Sequence, residues 1–257
     1  MAVPRARAVA VATGVPAAFA MLAGVLAFGS AGAQATPSGP VTGVDATSAP
    51  WFVHRDLVRS AMTPLRVDYR VRTTDPVVFI TIDDGVTKDR RGLRYVEAHE
   101  IPVTAFLTAW TVIDAAPYFT RITRWGSVQN HSATHASLAR STTDLEHEIC
   151  YSQRALASAF GSRPLLMRPP YGDGGNRGVV QVTADRCGID RIILWNAVVE
   201  NGHLTRAGGE LRAGDIVLLH FTPHLEKDLK AAIRAARAAG LTPASLADYL
   251  PADDPRP

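Results

Sequence analysis

Apolar positions fall in short, β-branched blocks separated by amphipathic stretches, a pattern that predicts strands alternating with helices. The densest block, Val77 to Ile82, reads as an inner strand and ends in Asp83-Asp84-Gly85. Further strands are expected at Ile101–Leu107, Ser127–His131, Leu165–Arg168, Arg191–Ala197 and Asp215–His220, and the alternation of Leu65, Val67, Tyr69 and Val71 predicts a half-buried edge strand near 66–72. Helical spacing covers Arg90–His99, Ala115–Trp125, Asp144–Phe160, Gly178–Cys187 and Leu229–Ala239, the last ended by Gly240. Strands alternating with helices imply a parallel sheet with right-handed crossovers, an α/β fold closed or nearly closed into a barrel.

The N-terminus departs from this rhythm. Arg5 and Arg7 precede an apolar run to Phe28, and small residues follow at Ala31-Gly32-Ala33. That is the pattern of a secretory signal peptide cleaved after Ala33, with a retained membrane anchor as the alternative. Residues 34–50 are rich in Pro, Ser, Thr and Gly and read as a flexible spacer. The expected organisation is a signal peptide (1–33), a spacer (34–50), an N-terminal extension (51–73), a catalytic domain (74–250) and a tail (251–257). At 257 residues with 47% hydrophobic content, one full core is within reach. Without Arg5 and Arg7 the charges nearly balance, so no nucleic-acid partner is expected. Export would allow Cys150 and Cys187 to pair, and two buried thiols are the other reading.

Barrels of this kind carry chemistry at the C-terminal ends of their strands. Polar residues gather there: Asp83 and Asp84, then His131 and His135, then Arg168, then His220. Each has a plain structural reading, an Asp-Gly turn for the acids or a core histidine for VLLH, but together they form one layer. The i, i+4 histidines would face one side of a helical turn, and with a carboxylate they make the two-nitrogen, one-oxygen set of an open zinc site. A divalent cation would also offset the repulsion between adjacent aspartates.

The segments TIDDG (81–85), HSATH (131–135), RPPYG (168–172) and IVLLH (216–220) resemble, in the same order, the motifs of the polysaccharide deacetylases, the NodB-homology carbohydrate esterases of family 4. The resemblance runs from about Thr74 to Leu250. It implies a distorted (β/α) barrel of about seven strands and a hydrolase that removes acetyl groups from N-acetylated sugars of a wall or chitin-like glycan. It also implies roles: Asp83 as general base, Asp84, His131 and His135 as ligands of a zinc-like divalent metal, and His220 as general acid. Arg168 would orient Asp83, the Tyr171 N–H would hold the oxyanion, and Leu218 would line the acetyl pocket. Where relatives carry an Asp-Trp pair, this chain reads NAVVENG, so Glu200 is expected to tune His220 in place of the aspartate. The rival readings are a non-catalytic glycan binder of the same fold and an O-acetyl (xylan) esterase. The expected partner is an acetylated polysaccharide, the expected state a secreted monomer, with membrane contact only through a retained N-terminal segment.

Overall fold

The computed structural model describes residues 64–250. The expected signal peptide, spacer and tail lie outside the described residues, as does most of the N-terminal extension. Strand β2 (Val77–Asp84) is the centre of the sheet and is buried along nearly its whole length. It pairs in parallel with β3 (Val103–Leu107) on one side and β9 (Ile216–His220) on the other. A strand this rich in apolar residues is stable in this place because both of its faces are covered.

Beyond β3 the sheet continues through β4 (Ser127–Asn130), β5 (Leu166–Met167) and β6 (Arg191–Ile193) to β1 (Arg66–Asp68). Beyond β9 it continues through β7 (Ala197–Glu200) and the antiparallel β8 (His203–Arg206), while the short β10 (Thr242–Pro243) pairs with the start of β2. All other neighbours run parallel, as the alternation of elements implied. This is the distorted half-open barrel expected, with the β7–β8 hairpin and β10 as strands beyond the expected seven. Among the described residues no ladder joins β1 to β8; an isolated bridge links Arg70, after β1, to Asp215, the residue before β9. Strand β1 is the terminal strand, paired only with β6, and lies within the edge strand expected near 66–72.

Helices cover the outer face. Helix α1 (Arg90–His99) starts at Asp89, whose carboxylate accepts from the N–H groups of Arg91 and Gly92. It packs on α6 (Leu225–Ala238) through Gly92, where a Cβ would stand only 2.9 Å from Leu225. After β3 come α2 (Ala109–Val112), which was not expected, and α3 (Ala116–Ile122), which lies within the helix expected over 115–125. The 144–160 stretch opens as a π-helical segment, Glu146–Tyr151, before becoming α4 (Ser152–Phe160). Helix α5 (Gly178–Arg186) and α7 (Leu246–Tyr249) complete the set. Cys150, in the π-helical segment, forms a disulfide with Cys187 beyond α5, their Cα atoms 5.1 Å apart. Of the two readings of these cysteines, the pair is the one realised.

Candidate metal and catalytic site

Strand pleating sends neighbouring side chains to opposite faces, which would separate Asp83 from Asp84. The chain overrides this at its last strand residue. Asp84 takes φ +78° and Gly85 follows at φ +85°, and the turn brings both carboxylates within reach of one imidazole. A Cβ at residue 85 would meet Thr111 Oγ1 at 2.7 Å, so glycine is required there by space as well as by conformation. The hydroxyls of Thr108 and Thr111 both donate to the Asp84 carbonyl, at 3.1 and 3.0 Å, and fix the turn.

Asp83 is buried and meets Arg168 at 2.7 Å, NH1 to Oδ1. Arg168 is itself fully buried, yet every part of its guanidinium is used. NH1 also donates to Thr81 Oγ1, Nε to the Ile193 carbonyl and NH2 to the Leu194 carbonyl. Phe106 lies against it, 4.2 Å from guanidinium carbon to ring centroid. Burial pulls the arginine pKa below its ordinary value while Asp83 opposes that pull.

His131 and His135 do not lie on a helical turn, contrary to the spacing argument. Ser132 and His135 both have positive φ, +72° and +67°, and the segment is a loop that folds back on itself. Its hydrogen bonds come partly from within and partly from neighbouring elements. Ser132 N–H donates to Asn130 Oδ1 at 2.8 Å and His135 N–H to Ser132 Oγ at 3.0 Å. Glu148, buried in the π-helical segment, accepts from the N–H groups of Ala133 and Thr134 and from the Thr134 hydroxyl at 2.7 Å. Ser152 Oγ holds the Ser132 carbonyl at 2.9 Å.

One hydrogen bond decides the tautomer of His131. Its Nδ1 lies 2.7 Å from the Arg168 carbonyl oxygen, an atom that can only accept, so Nδ1 carries the proton. In the neutral ring Nε2 is then a bare lone pair, and it faces Asp84 Oδ1 at 3.3 Å. His135 Nε2 approaches the same oxygen at 3.1 Å. Despite these short distances Asp84 Oδ1 is buried with no hydrogen bond of acceptable geometry. Three donor atoms within 4.8 Å of one another thus converge on a point that demands positive charge. Asp84 shows the same demand: burial raises its pKa, but the two histidines more than offset this and hold it well below the carboxylate range. Contact with Asp84 in turn raises the pKa of His135, against burial. Two imidazole nitrogens and one carboxylate oxygen fit a divalent cation of the zinc class, with room for water or substrate. Asp83 stands just behind, its Oδ2 3.7 Å from His131 Nε2.

The remaining predicted residues fall around this point unevenly. His220 ends β9 directly opposite Asp83, and Leu218, buried, stands opposite Thr81 on the same face. Tyr171 sits in the short 3-10 turn Pro170–Gly172 with φ +62°. The N–H groups of Gly172 and Asp173 go to the Pro169 and Pro170 carbonyls, while among the described residues no hydrogen bond engages that of Tyr171. Its ring meets the His135 ring with centroids 4.6 Å apart. Glu200 is the exception. It ends β7, two residues past the last registered pair Val198–Leu218, and its side chain is exposed. Among the described residues no hydrogen bond or ion pair joins it to His220, whose imidazole has no side-chain partner of either kind. The expected replacement for the missing aspartate is therefore not made. Glu148, Asn130 and Ser152 are the residues that sequence reasoning missed.

Residues 70–190 match the family model described as polysaccharide deacetylase. The chain belongs to the polysaccharide deacetylase family. The matched span holds Asp83, Asp84, both histidines, Arg168 and Tyr171 and stops short of Glu200, Leu218 and His220. An uncharacterised protein of Streptomyces coelicolor is 37% identical over 195 residues, covering 69% of this chain and 76% of that protein. A bifunctional xylanase/xylan deacetylase of Cellvibrio japonicus is 27% identical over 177 residues, 65% of this chain and 26% of its own length. The peptidoglycan-N-acetylglucosamine deacetylase of Listeria monocytogenes is 28% identical over 158 residues, 57% of this chain and 33% of its own length. The chain thus spans only a quarter to a third of those two enzymes. A family 4 carbohydrate esterase from Bacillus anthracis shares the fold at TM-score 0.60 and 20% identity, over 78% of this chain and 93% of that one. So does a family 4 pseudoenzyme from the same organism, at TM-score 0.59 and 20% identity over 75% and 70%.

Proposed function

We propose that this chain is an exported, metal-dependent deacetylase that hydrolyses the acetamide of N-acetylated sugars in a wall or chitin-like glycan. The observation that carries it is the meeting of Asp84, His131 and His135 around one unsatisfied oxygen of Asp84, with Asp83 beside them in contact with Arg168. The disulfide and the N-terminal pattern support export. We infer a monomer that meets a membrane only through its N-terminal segment.

Asp84, His131 and His135 would hold the cation, most simply zinc. Bound there, it supplies Lewis acidity toward the acetyl carbonyl and acidifies water. The protein's own residues do the rest. Asp83, in contact with Arg168, takes the proton of the attacking water, a general-base contribution typically worth about 100- to 10,000-fold. The unengaged Tyr171 N–H donates to the oxygen that gains charge as the carbonyl becomes tetrahedral. Leu218 offers the acetyl methyl an apolar floor. His220, across the register from Asp83, gives its proton to the departing amine.

The partnerless His220 favours a second reading, a weak or non-catalytic glycan binder, because nothing among the described residues holds its imidazole charged. Acetate release from N-acetylglucosamine oligomers and from acetylated xylan, with zinc or cobalt added, separates these. Release from the amide that disappears in Asp83→Asn supports the proposal. Release from xylan alone assigns an ester hydrolase, and equal background from both proteins assigns the binder.

A further inference from the structure

The segment that steadies the histidine loop also carries half of the disulfide. Glu148 accepts three bonds from Ala133 and Thr134, the Ser152 hydroxyl donates to the Ser132 carbonyl, and the Ile149 carbonyl accepts from Asn130 Nδ2 at 3.2 Å. Cys150 lies midway between Glu148 and Ser152, and its bond to Cys187 is the covalent tie between this segment and the end of α5. Two weaker ties run beside it. Ile149 is buried in one apolar cluster with Val180 and Ala184 of α5, and the exposed pair Arg186–Glu146 spans the same junction. These would keep the segment in place after the covalent tie is cut, ready to reclose.

The backbone here has a second form within reach. Residues Glu146–Tyr151 are π-helical and run straight into the α-helical turns of α4. A π turn holds about one residue more than an α turn, so relaxing it to α rotates the side chains ahead of it by about 100°. Glu148 would then turn away from Ala133 and Thr134. The tie to Cys187 fixes how the segment faces α5 and so favours the π form.

That tie is open to exchange. Cys150 is only 6% exposed, but Cys187 is half-buried, and both line a cleft of about 420 Å³ together with Arg154, Arg163 and Arg186. Cys187 Sγ is therefore the sulfur that an incoming thiolate reaches. Cys150 Sγ is the leaving thiolate, and Arg154, four residues on and lining the same cleft, supplies positive charge toward it.

We propose that the Cys150–Cys187 disulfide is a reversible redox control on the metal site, closed in the cation-binding form and opened by a dithiol reductant. One thiolate of the reductant bonds to Cys187 Sγ as the S–S bond breaks, and the electron pair leaves on Cys150 Sγ, which takes a proton. The reductant's second thiolate attacks its own sulfur in the mixed disulfide and expels Cys187, which is protonated in turn. Two electrons and two protons pass to the protein, and the reductant ends as a disulfide. Reduction releases Glu148, slackens the loop that carries His131 and His135, and lowers affinity for the cation. This regulates the site described above and rests on that reading for the metal.

The test compares the full chain as oxidised, dithiothreitol-reduced and reoxidised protein, each desalted before measurement and the reduced form kept free of air. In metal-free protein the amide proton resonances of Ala133 and Thr134 should move upfield on reduction, as their bonds to Glu148 are lost. They should return on reoxidation, while those of β2 and β3 hold throughout. Zinc affinity, measured against a chromophoric chelator, should fall about tenfold on reduction and recover. Cys150→Ser with Cys187→Ser, which offers zinc no thiol, should match the reduced parent and ignore the reductant. Oxidised Glu148→Gln should already bind near the reduced value, with little further loss on reduction. Unchanged amide shifts and affinity, a disulfide that resists the reductant until the chain is unfolded, or a full redox response retained in Glu148→Gln would overturn the proposal. If neither form binds zinc while the Ala133 and Thr134 resonances still respond reversibly, the metal reading fails and the redox coupling stands.

Discussion

The Asp83 carboxylate and the Arg168 guanidinium meet at 2.7 Å where neither is open to solvent. Removing one member of such a pair strands the other charge in a low-dielectric site, which typically costs about 3–5 kcal/mol. Arg168→Met should therefore lower stability by roughly that amount in chemical denaturation. Asp83→Asn keeps an acceptor for NH1 and should lose less, while still abolishing acetate release.

Glu148 touches no ligand, yet it holds the histidine loop by three bonds. Glu148→Gln turns one of its acceptors into a donor facing other donors. Supporting shells of this kind are worth about 10- to 100-fold in metal affinity. Zinc titration calorimetry should show that loss, with His131 and His135 intact.

The disulfide ties the Glu148 segment to the end of α5 across a sequence separation of 37 residues. Closing a loop of that length is worth about 4 kcal/mol in the chain-entropy view. Cys150→Ser with Cys187→Ser should lower the denaturation midpoint by a comparable free energy. Weakened zinc affinity should accompany it, because the π-helical segment carries Glu148.

Protons and metal compete for the same atoms. In the metal-free protein the His135 pKa lies above its unfolded value of 6.5, so its share of stability is full below that pH and is lost as pH rises through the folded value. Asp84 lies below its unfolded 3.8, so its share is full above that pH and is lost as pH falls through the folded value. The Tm gap between metal-free parent and Asp84→Asn should thus be widest between about pH 4 and 6.5 and shrink on either side. Zinc affinity should rise over the alkaline edge of that window as His135 gives up its proton.

Much of this site was legible in the chain. TIDDG shows as an apolar run that ends in acids, and RPPYG and IVLLH fall at strand ends because strands alternate with helices. What was hidden is backbone conformation without glycine. Asp84, Ser132 and His135 all adopt positive φ, and nothing in Asp, Ser or His demands it, so the histidines were assigned to a helical turn. Glu148 was hidden differently. Helical spacing over 144–160 reads the same whether the first turns are α or π, and only the wider π turn distinguishes them. Strand β7 was hidden as well: the single strand expected over 191–197 stops at Ile193, and Glu200 closes a separate strand with its side chain exposed.

X-ray absorption at the zinc edge tests the central geometry most directly, on protein loaded with one equivalent. The spectrum should show a single ion with two imidazole nitrogens and a carboxylate oxygen at about 2.0–2.2 Å, and Asp84→Asn should lose that shell while Asp83→Asn keeps it. Retention of the same histidine shell in Asp84→Asn, or failure of the parent to hold one ion, would contradict it.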